Sequence, residues 1–194
     1  SVDESKSEIF SFRHSLTANA AYINLGKELR RKIHFKIAKW FEINESENLS
    51  VIFEILAHHF YESGDTIYAV KYLILSGNKA KNIYANEQSI EFYTKALNII
   101  ESRLRRFSLN IKQNLMEIYY NRGLVLRLIG KYNESIADFF KVYKLAADIK
   151  DKRKISESLN FIGGAYRWKG EQKTALKYCN KALKIAKENR DTKV

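Results

Sequence analysis

Apolar residues recur at helical spacing along most of the chain. Between residues 27 and 43, Leu29, Ile33 and Ile37 share one side, while arginines and lysines occupy the other. Polar or glycine-containing stretches such as Ser63-Gly-Asp65 interrupt the pattern. The pattern predicts helices over 14–25, 27–43, 50–62, from the turn at 63–65 to 84, from Asn86 to a basic connector at 102–106, and over 109–129, 132–149, 154–169 and 172–188. Ile9-Phe-Ser-Phe-Arg13 alternates apolar and polar residues and predicts one short strand.

A period of 40 residues relates the last four of these helices. The corresponding pairs are Gly123 and Gly163, Gly130 and Gly170, Ser135 and Ala175, and Ile136 and Leu176. Small residues at such positions let two antiparallel helices approach closely. A helical pair cannot bury its apolar stripe alone, so the pairs are expected to stack on one another.

The segments 159–166 and 175–183 resemble the tetratricopeptide repeat (TPR), in which glycine and alanine let two helices meet and an aromatic residue fills the gap beside them. The resemblance implies an all-α fold, a right-handed TPR-like α-solenoid of antiparallel helix pairs. It also implies that Cys179 points into the core.

A second resemblance covers residues 9–100. It is carried by Phe10-Ser-Phe-Arg-His14, by the basic helix around His34, by Leu56-Ala-His-His-Phe60 and by Tyr84-Ala-Asn-Glu. This series resembles the segment that follows the nucleotide-binding module in signal-transduction ATPases of the STAND type. The resemblance implies a short winged-helix-like remnant at the N-terminus. No Gly-rich phosphate loop occurs, so the chain lacks the ATPase module itself and is expected to hold no cofactor.

The two resemblances predict three parts. Residues 1–46 end a winged-helix-like segment and add a basic linker helix, 47–106 form degenerate TPR-like helices, and 107–194 hold two TPR repeats that are truncated at the C-terminus.

The net charge of +12 lies entirely in the second half, where 22 basic residues face 10 acidic ones. Lys173, Lys177, Lys181 and Lys184 share a face of the last helix. Such a face is typical of a solvated surface, and the alternative is an electrostatic footprint for nucleic acid or an acidic partner. No aromatic residues interleave with the lysines, which disfavours nucleic acid. One cysteine, no signal peptide and no apolar run long enough for a membrane helix predict a cytoplasmic protein that does not contact the membrane.

The sequence predicts no enzyme and no metal site. His58 and His59 are adjacent on a helix and project about 100° apart, so they are not expected to chelate one ion. His14 and His34 lie on other elements without a metal-binding spacing, and no nucleophile motif is present.

The first helix of each pair lines the binding groove of helical-pair solenoids. Mapping the repeat onto that groove predicts partner-binding residues, namely Tyr120, Arg127, Asn160, Arg167 and Trp168. The two arginines are 40 residues apart and present equivalent guanidinium groups to an acidic peptide or a carboxylate. An equally weighted interpretation is that these are ordinary exposed side chains of an intramolecular scaffold.

The leading hypothesis is a non-catalytic protein–protein interaction and regulatory module, the sensor arm of a larger cytoplasmic signalling ATPase whose ATPase module it contacts. One alternative is a stand-alone peptide-sensing TPR regulator. The other is a basic helical protein that binds nucleic acid, with affinity that falls steeply with salt.

Overall fold

The computed structural model describes residues 15–103 and 108–191, and every regular element within them is helical. The elements are α1 (Ser15–Asn24), α2 (Lys27–Asn44), a 3-10 helix (Ser46–Val51), α3 (Phe53–Ser63), α4 (Thr66–Asn82), α5 (Asn86–Arg103), α6 (Leu109–Leu128), α7 (Tyr132–Asp148), α8 (Lys152–Trp168) and α9 (Gln172–Asp191). The predicted helices are confirmed to within about three residues at their ends, the accuracy expected of such boundaries. The predicted strand at 9–13 lies outside the described residues.

Side-chain oxygens and left-handed residues mark the turns between helices. Asp65 accepts a hydrogen bond from the Tyr68 amide at 3.2 Å, and Asp151 accepts one from the Lys154 amide at 2.9 Å. Each bond satisfies a backbone donor that the first turn of a helix leaves unpaired. Gly64 follows α3 with φ 87°. Glycine adopts this left-handed conformation readily because it has no Cβ that would clash with the backbone.

A close approach between two helices recurs three times, at Gly77, Gly123 and Gly163. A Cβ at Gly77 would lie 2.6 Å from the Tyr93 ring, and a Cβ at Gly123 would lie 3.1 Å from the Phe139 ring. The contacts join α4 to α5, α6 to α7 and α8 to α9. Each of these three glycines therefore marks one closely packed helix pair in the described part of the chain.

Two further features show that α4–α5 follows the same scheme as α6–α7. Ser89 Oγ donates to the Gly77 carbonyl at 2.9 Å, and Ser135 Oγ donates to the Gly123 carbonyl at 2.8 Å. The residue seven positions after each packing glycine has a positive φ: 60° at Tyr84, 80° at Gly130 and 82° at Gly170. From the sequence, this packing was predicted only for the last two pairs, where the 40-residue period occurs.

The helices bury two apolar clusters that run along the chain. The first cluster joins α2 to α6 and includes Phe60, Tyr72 and Tyr93, each at most 1% exposed. The second joins α7, α8 and α9 around Phe139 and Ile162. Each pair thus depends on its neighbour for burial, as expected for a stacked solenoid.

Two local expectations need correction. A helix was predicted from residue 50, but the 3-10 helix (Ser46–Val51) occupies that position, so α3 begins at Phe53. Cys179 does point at Gly163, with its sulfur 2.6 Å from where a Cβ would stand, but it is only half-buried. The reason is that Cys179 also borders an open cleft lined by residues of α6, α8 and α9.

Candidate interaction surface

The first helices of the three pairs, α4, α6 and α8, lie side by side, and we call the surface that they form the first-helix face. Lys81 Nζ of α4 donates to Asn121 Oδ1 of α6 at 2.6 Å. The Arg127 guanidinium of α6 lies 5.0 Å from the centre of the Phe161 ring of α8. Each pair of neighbouring first helices therefore contacts directly through a cationic side chain.

A row of cations follows from this arrangement. Lys81, Arg127 and Arg167 each stand four residues after the packing glycine of their own helix, so they occupy equivalent positions. Only the two arginines were predicted from the sequence, because the 40-residue period does not reach α4. The four-residue spacing from Gly77 to Lys81 is the sequence feature that would have placed Lys81 in this row.

Three of the five predicted groove residues line one cleft. Arg127, Asn160 and Arg167 border a space of about 470 Å³, together with Gly164 and Leu176. Gly164 leaves room for the guanidinium of Arg127, whose Nη1 is the nearest atom, at 3.5 Å, to the place of a Cβ. Neither arginine pairs with a carboxylate within the described part of the chain. The cleft therefore presents two positive charges and the side-chain amides of Asn160 and Gln172.

The other two predicted residues lie elsewhere. Tyr120 is half-buried, with its ring 6.0 Å from the Phe139 ring and 5.4 Å from the Phe161 ring, so it packs between α6, α7 and α8. Burial raises the pKa of its hydroxyl, and the charge of Glu157 adds to this rise. Trp168 is 62% exposed and does not line the cleft, although its ring lies 5.7 Å from the Arg167 guanidinium.

A buried ion pair beside the face escaped the sequence analysis. Arg122 Nε and Nη2 donate to the two carboxylate oxygens of Asp138, both at 2.8 Å, and Nη1 donates to Thr94 Oγ1 at 3.0 Å. Burial raises the pKa of Asp138 and the arginine opposes that rise, so the carboxylate depends on this partner to stay ionised. Arg122 lies directly before the packing glycine Gly123, and the equivalent residue one repeat later is Ile162. An arginine at a position that faces the core indicates that a carboxylate partner lies nearby.

Three histidines converge at the other end of the molecule, an arrangement that the sequence did not predict, since His34 was assigned to a separate element. One nitrogen each of His34, His58 and His59 lies within 4.8 Å of the other two. Their rings meet because α2 packs directly against α3 and brings His34 to the adjacent pair. A contact between residues 24 or more positions apart has no local sequence signal.

Comparison with known proteins identifies the repeat. A family model described as tetratricopeptide repeat matches residues 114–188, which span parts or all of α6 to α9. No curated protein matches the chain. Among solved structures, a crystal structure of MamA protein has a TM-score of 0.50 and 17% identity, covering 85% of this chain and 96% of that one. The crystal structure of BtubC (BKLC) from P. vanneervenii has a TM-score of 0.53 and 15% identity, covering 90% and 76%.

At these identities the likeness shows the fold alone. The chain folds as a TPR-like α-solenoid and contains a tetratricopeptide-repeat region, which confirms the predicted fold class. Such a solenoid is a scaffold for protein–protein interaction. None of the described helices is long and apolar enough to cross a membrane.

Proposed function

We propose that this chain is a non-catalytic interaction and regulatory module whose first-helix face binds an acidic segment of a protein partner. The observation that carries the proposal is the cleft in which Arg127, Asn160 and Arg167 meet, whose described lining contains no carboxylate. A planar guanidinium fork suits a carboxylate, and the amide of Asn160 can bond an extended peptide backbone. Trp168, exposed beside Arg167, adds an aromatic contact at the rim.

The wider setting that we propose is the sensor arm of a larger signalling ATPase. It is supported by the resemblance of residues 9–100 to STAND-type proteins and by the uncovered side of α9. Leu176 is 63% exposed, whereas its equivalent one repeat earlier, Ile136, is 7% exposed because α8 covers it. The face of α9 is thus suited to a further helix, from the same protein or from the ATPase module.

The stand-alone peptide sensor remains an alternative that uses the same cleft. Sequencing the coding region on both sides of this segment separates the two. A Gly-rich phosphate loop upstream in the same reading frame would support the ATPase arm. Its absence from the whole frame would contradict that setting and would leave the proposal for the cleft unaffected.

The cleft itself is tested with fluorescent peptides. We expect acidic peptides to bind and matched peptides with Gln for Glu not to bind. Replacing Arg127 and Arg167 together with Gln should weaken binding by about tenfold or more, the size expected for a binding hot spot. Lys144→Gln removes an exposed charge from α7 and serves as the matched control. Equal losses in the control and the double variant would contradict the assignment, and preference for duplex DNA over acidic peptide would favour the nucleic-acid alternative.

A further inference from the structure

The histidine cluster between α2 and α3 is independent of the first-helix face and has the composition of a metal site. His34 of α2 is buried at 7% exposure, His59 of α3 is half-buried, and His58 of α3 is exposed. Their nitrogens lie within 4.8 Å of one another. Three imidazoles are a donor set that suits zinc, copper and nickel, whereas calcium and magnesium prefer oxygen.

The two inner rings already share one hydrogen. His34 Nδ1 and His59 Nδ1 lie 2.8 Å apart, so one of them donates and the other accepts. Two nitrogens bound to one tetrahedral zinc lie about 3.3 Å apart, given zinc–nitrogen distances of about 2.0–2.1 Å. A metal ion therefore fits after the rings separate by about half an ångström.

The tautomers of the rings permit binding. Only a neutral imidazole has a nitrogen lone pair free to bind a metal ion. Where Nδ1 carries the hydrogen before binding, that hydrogen moves to Nε2 so that Nδ1 can bind the ion.

The buried ring of His34 has a hydrogen-bond partner for its second nitrogen. The Tyr22 hydroxyl lies 2.9 Å from His34 Nε2, where it can accept the Nε2 hydrogen once Nδ1 binds the ion. Histidine ligands usually donate their second nitrogen to such a partner, which fixes the tautomer and the ring orientation.

Nearby charged residues and an open cleft also affect ion binding at the three histidines. The Glu62 carboxylate acts favourably on positive charge at both His34 and His59, while Arg30 acts against it at His34. His58 and Glu62 also border a cleft of about 450 Å³ that gives an ion a path from solvent. Rotation of the exposed His58 ring brings the third ligand in.

We propose that His34, His58 and His59 bind one divalent transition-metal ion, with zinc as the representative, and that this ion crosslinks α2 to α3. Water or the Glu62 carboxylate supplies the fourth ligand. Because the ion binds the folded state, it stabilises the N-terminal helices by linkage.

The test uses tag-free protein, since an affinity tag would add histidines. Zinc titrated against a chromophoric chelator should show one site per chain, and cobalt should give the visible absorption of a tetrahedral complex. We expect His58→Gln and His59→Gln each to weaken zinc binding by at least about tenfold. Cys179→Ser removes the cysteine of α9, and it should leave the affinity unchanged.

Stoichiometric zinc binding that survives both His58→Gln and His59→Gln, or no zinc binding at all, would overturn the proposal. If a variant loses helical circular dichroism, the imidazole nitrogen resonances of the unaltered protein decide the matter. They should shift for three histidines upon one equivalent of zinc, and unchanged resonances would contradict the site.

Discussion

Arg122 and Asp138 form a buried, two-point ion pair between α6 and α7. Asp138 is 4% exposed, and both of its oxygens accept from the guanidinium. Removing one partner of a buried pair leaves the other charge without compensation. We therefore expect Asp138→Ala to lower the free energy of unfolding by about 3–5 kcal/mol, as measured by urea denaturation.

The matched control for this prediction lies on the same helix. Glu134 pairs with Lys131 at 3.7 Å, and both side chains are exposed. Glu134→Ala should cost no more than about 0.5 kcal/mol. Replacing Arg122 by Met and Asp138 by Leu together should cost less than Asp138→Ala alone, because no charge is left behind. A double variant as unstable as the single one would contradict this account.

Glu42 at the end of α2 forms a second polar contact whose effect depends on pH. Burial raises the pKa of Glu42, but hydrogen bonds from Lys39 and Tyr72 outweigh it and leave the pKa below its ordinary value of 4.5. A carboxyl group with a lowered folded pKa stabilises the fold above its unfolded pKa and loses this contribution as the pH falls through the folded value. We expect the free energy of unfolding to decrease below about pH 4.5 as Glu42 becomes protonated.

The measurement compares thermal unfolding of the unaltered protein and Glu42→Gln between pH 7 and pH 3. The difference between the two should be largest near neutral pH and shrink towards acid, because protonation abolishes the same contacts as the substitution. Glu54→Gln, an exposed residue on α3, controls for charge alone. A difference that does not change with pH would mean that the charge of Glu42 is irrelevant.

At the scale of the elements, two adjacent glycines of α8 have opposite surroundings. A Cβ at Gly163 would stand 2.6 Å from Cys179 Sγ and 3.0 Å from the Ala175 carbonyl oxygen, and that backbone atom moves only with α9. At Gly164 the nearest neighbour would be the flexible Arg127 at 3.5 Å. Gly163→Ala should therefore destabilise by about 1–3 kcal/mol, as overpacking does.

Gly164→Ala is the control, because alanine favours a helix over glycine by up to about 1 kcal/mol and meets no obstacle here. It should be neutral or stabilising in the same denaturation experiment. Equal effects of the two substitutions would show that α8 and α9 do not approach as closely as described.

The elements themselves are the part of the fold that the sequence predicts well. Their apolar spacing and their glycine and aspartate turns are local signals, so each helix is found within a few residues. The assignment of α4 was harder, because it packs against both α3 and α5, and because Tyr84 stands at the left-handed turn where Gly130 and Gly170 stand in the later pairs. Lys81 was missed as a member of the cation row for the same reason.

The residues that line each surface were harder to predict from the sequence than the helices. Arg127, Asn160 and Arg167 share a cleft because the repeat register fixes which side of a helix they occupy. Tyr120 shares that register, but its large ring turns towards the aromatic rings of α7 and α8 instead. Choice of rotamer and long-range contact, which also bring His34 to His59, are not encoded in local spacing.

For the whole molecule, the important feature is that its two apolar clusters meet at Tyr120, which packs against both. In a stacked solenoid each repeat contacts only its neighbours, so cooperativity between the two ends passes through such junctions. The α8–α9 pair also has an uncovered outer side at Leu176 and Leu183, both more than half exposed. The C-terminal pair should consequently open at lower free energy than the N-terminal cluster.

Native-state hydrogen exchange tests this arrangement. In the unaltered protein, amides of α9 should exchange faster than those of α4, since local opening is cheapest where few apolar contacts are buried. Tyr120→Ala should speed exchange in α8 and α9 far more than in α3 and α4, and it should lower the urea m-value of the main transition as the two ends uncouple. Trp168→Ala, on the exposed rim, should change neither. If Tyr120→Ala instead raises exchange uniformly along the chain, the solenoid unfolds as one unit, and the junction has no special part in its cooperativity.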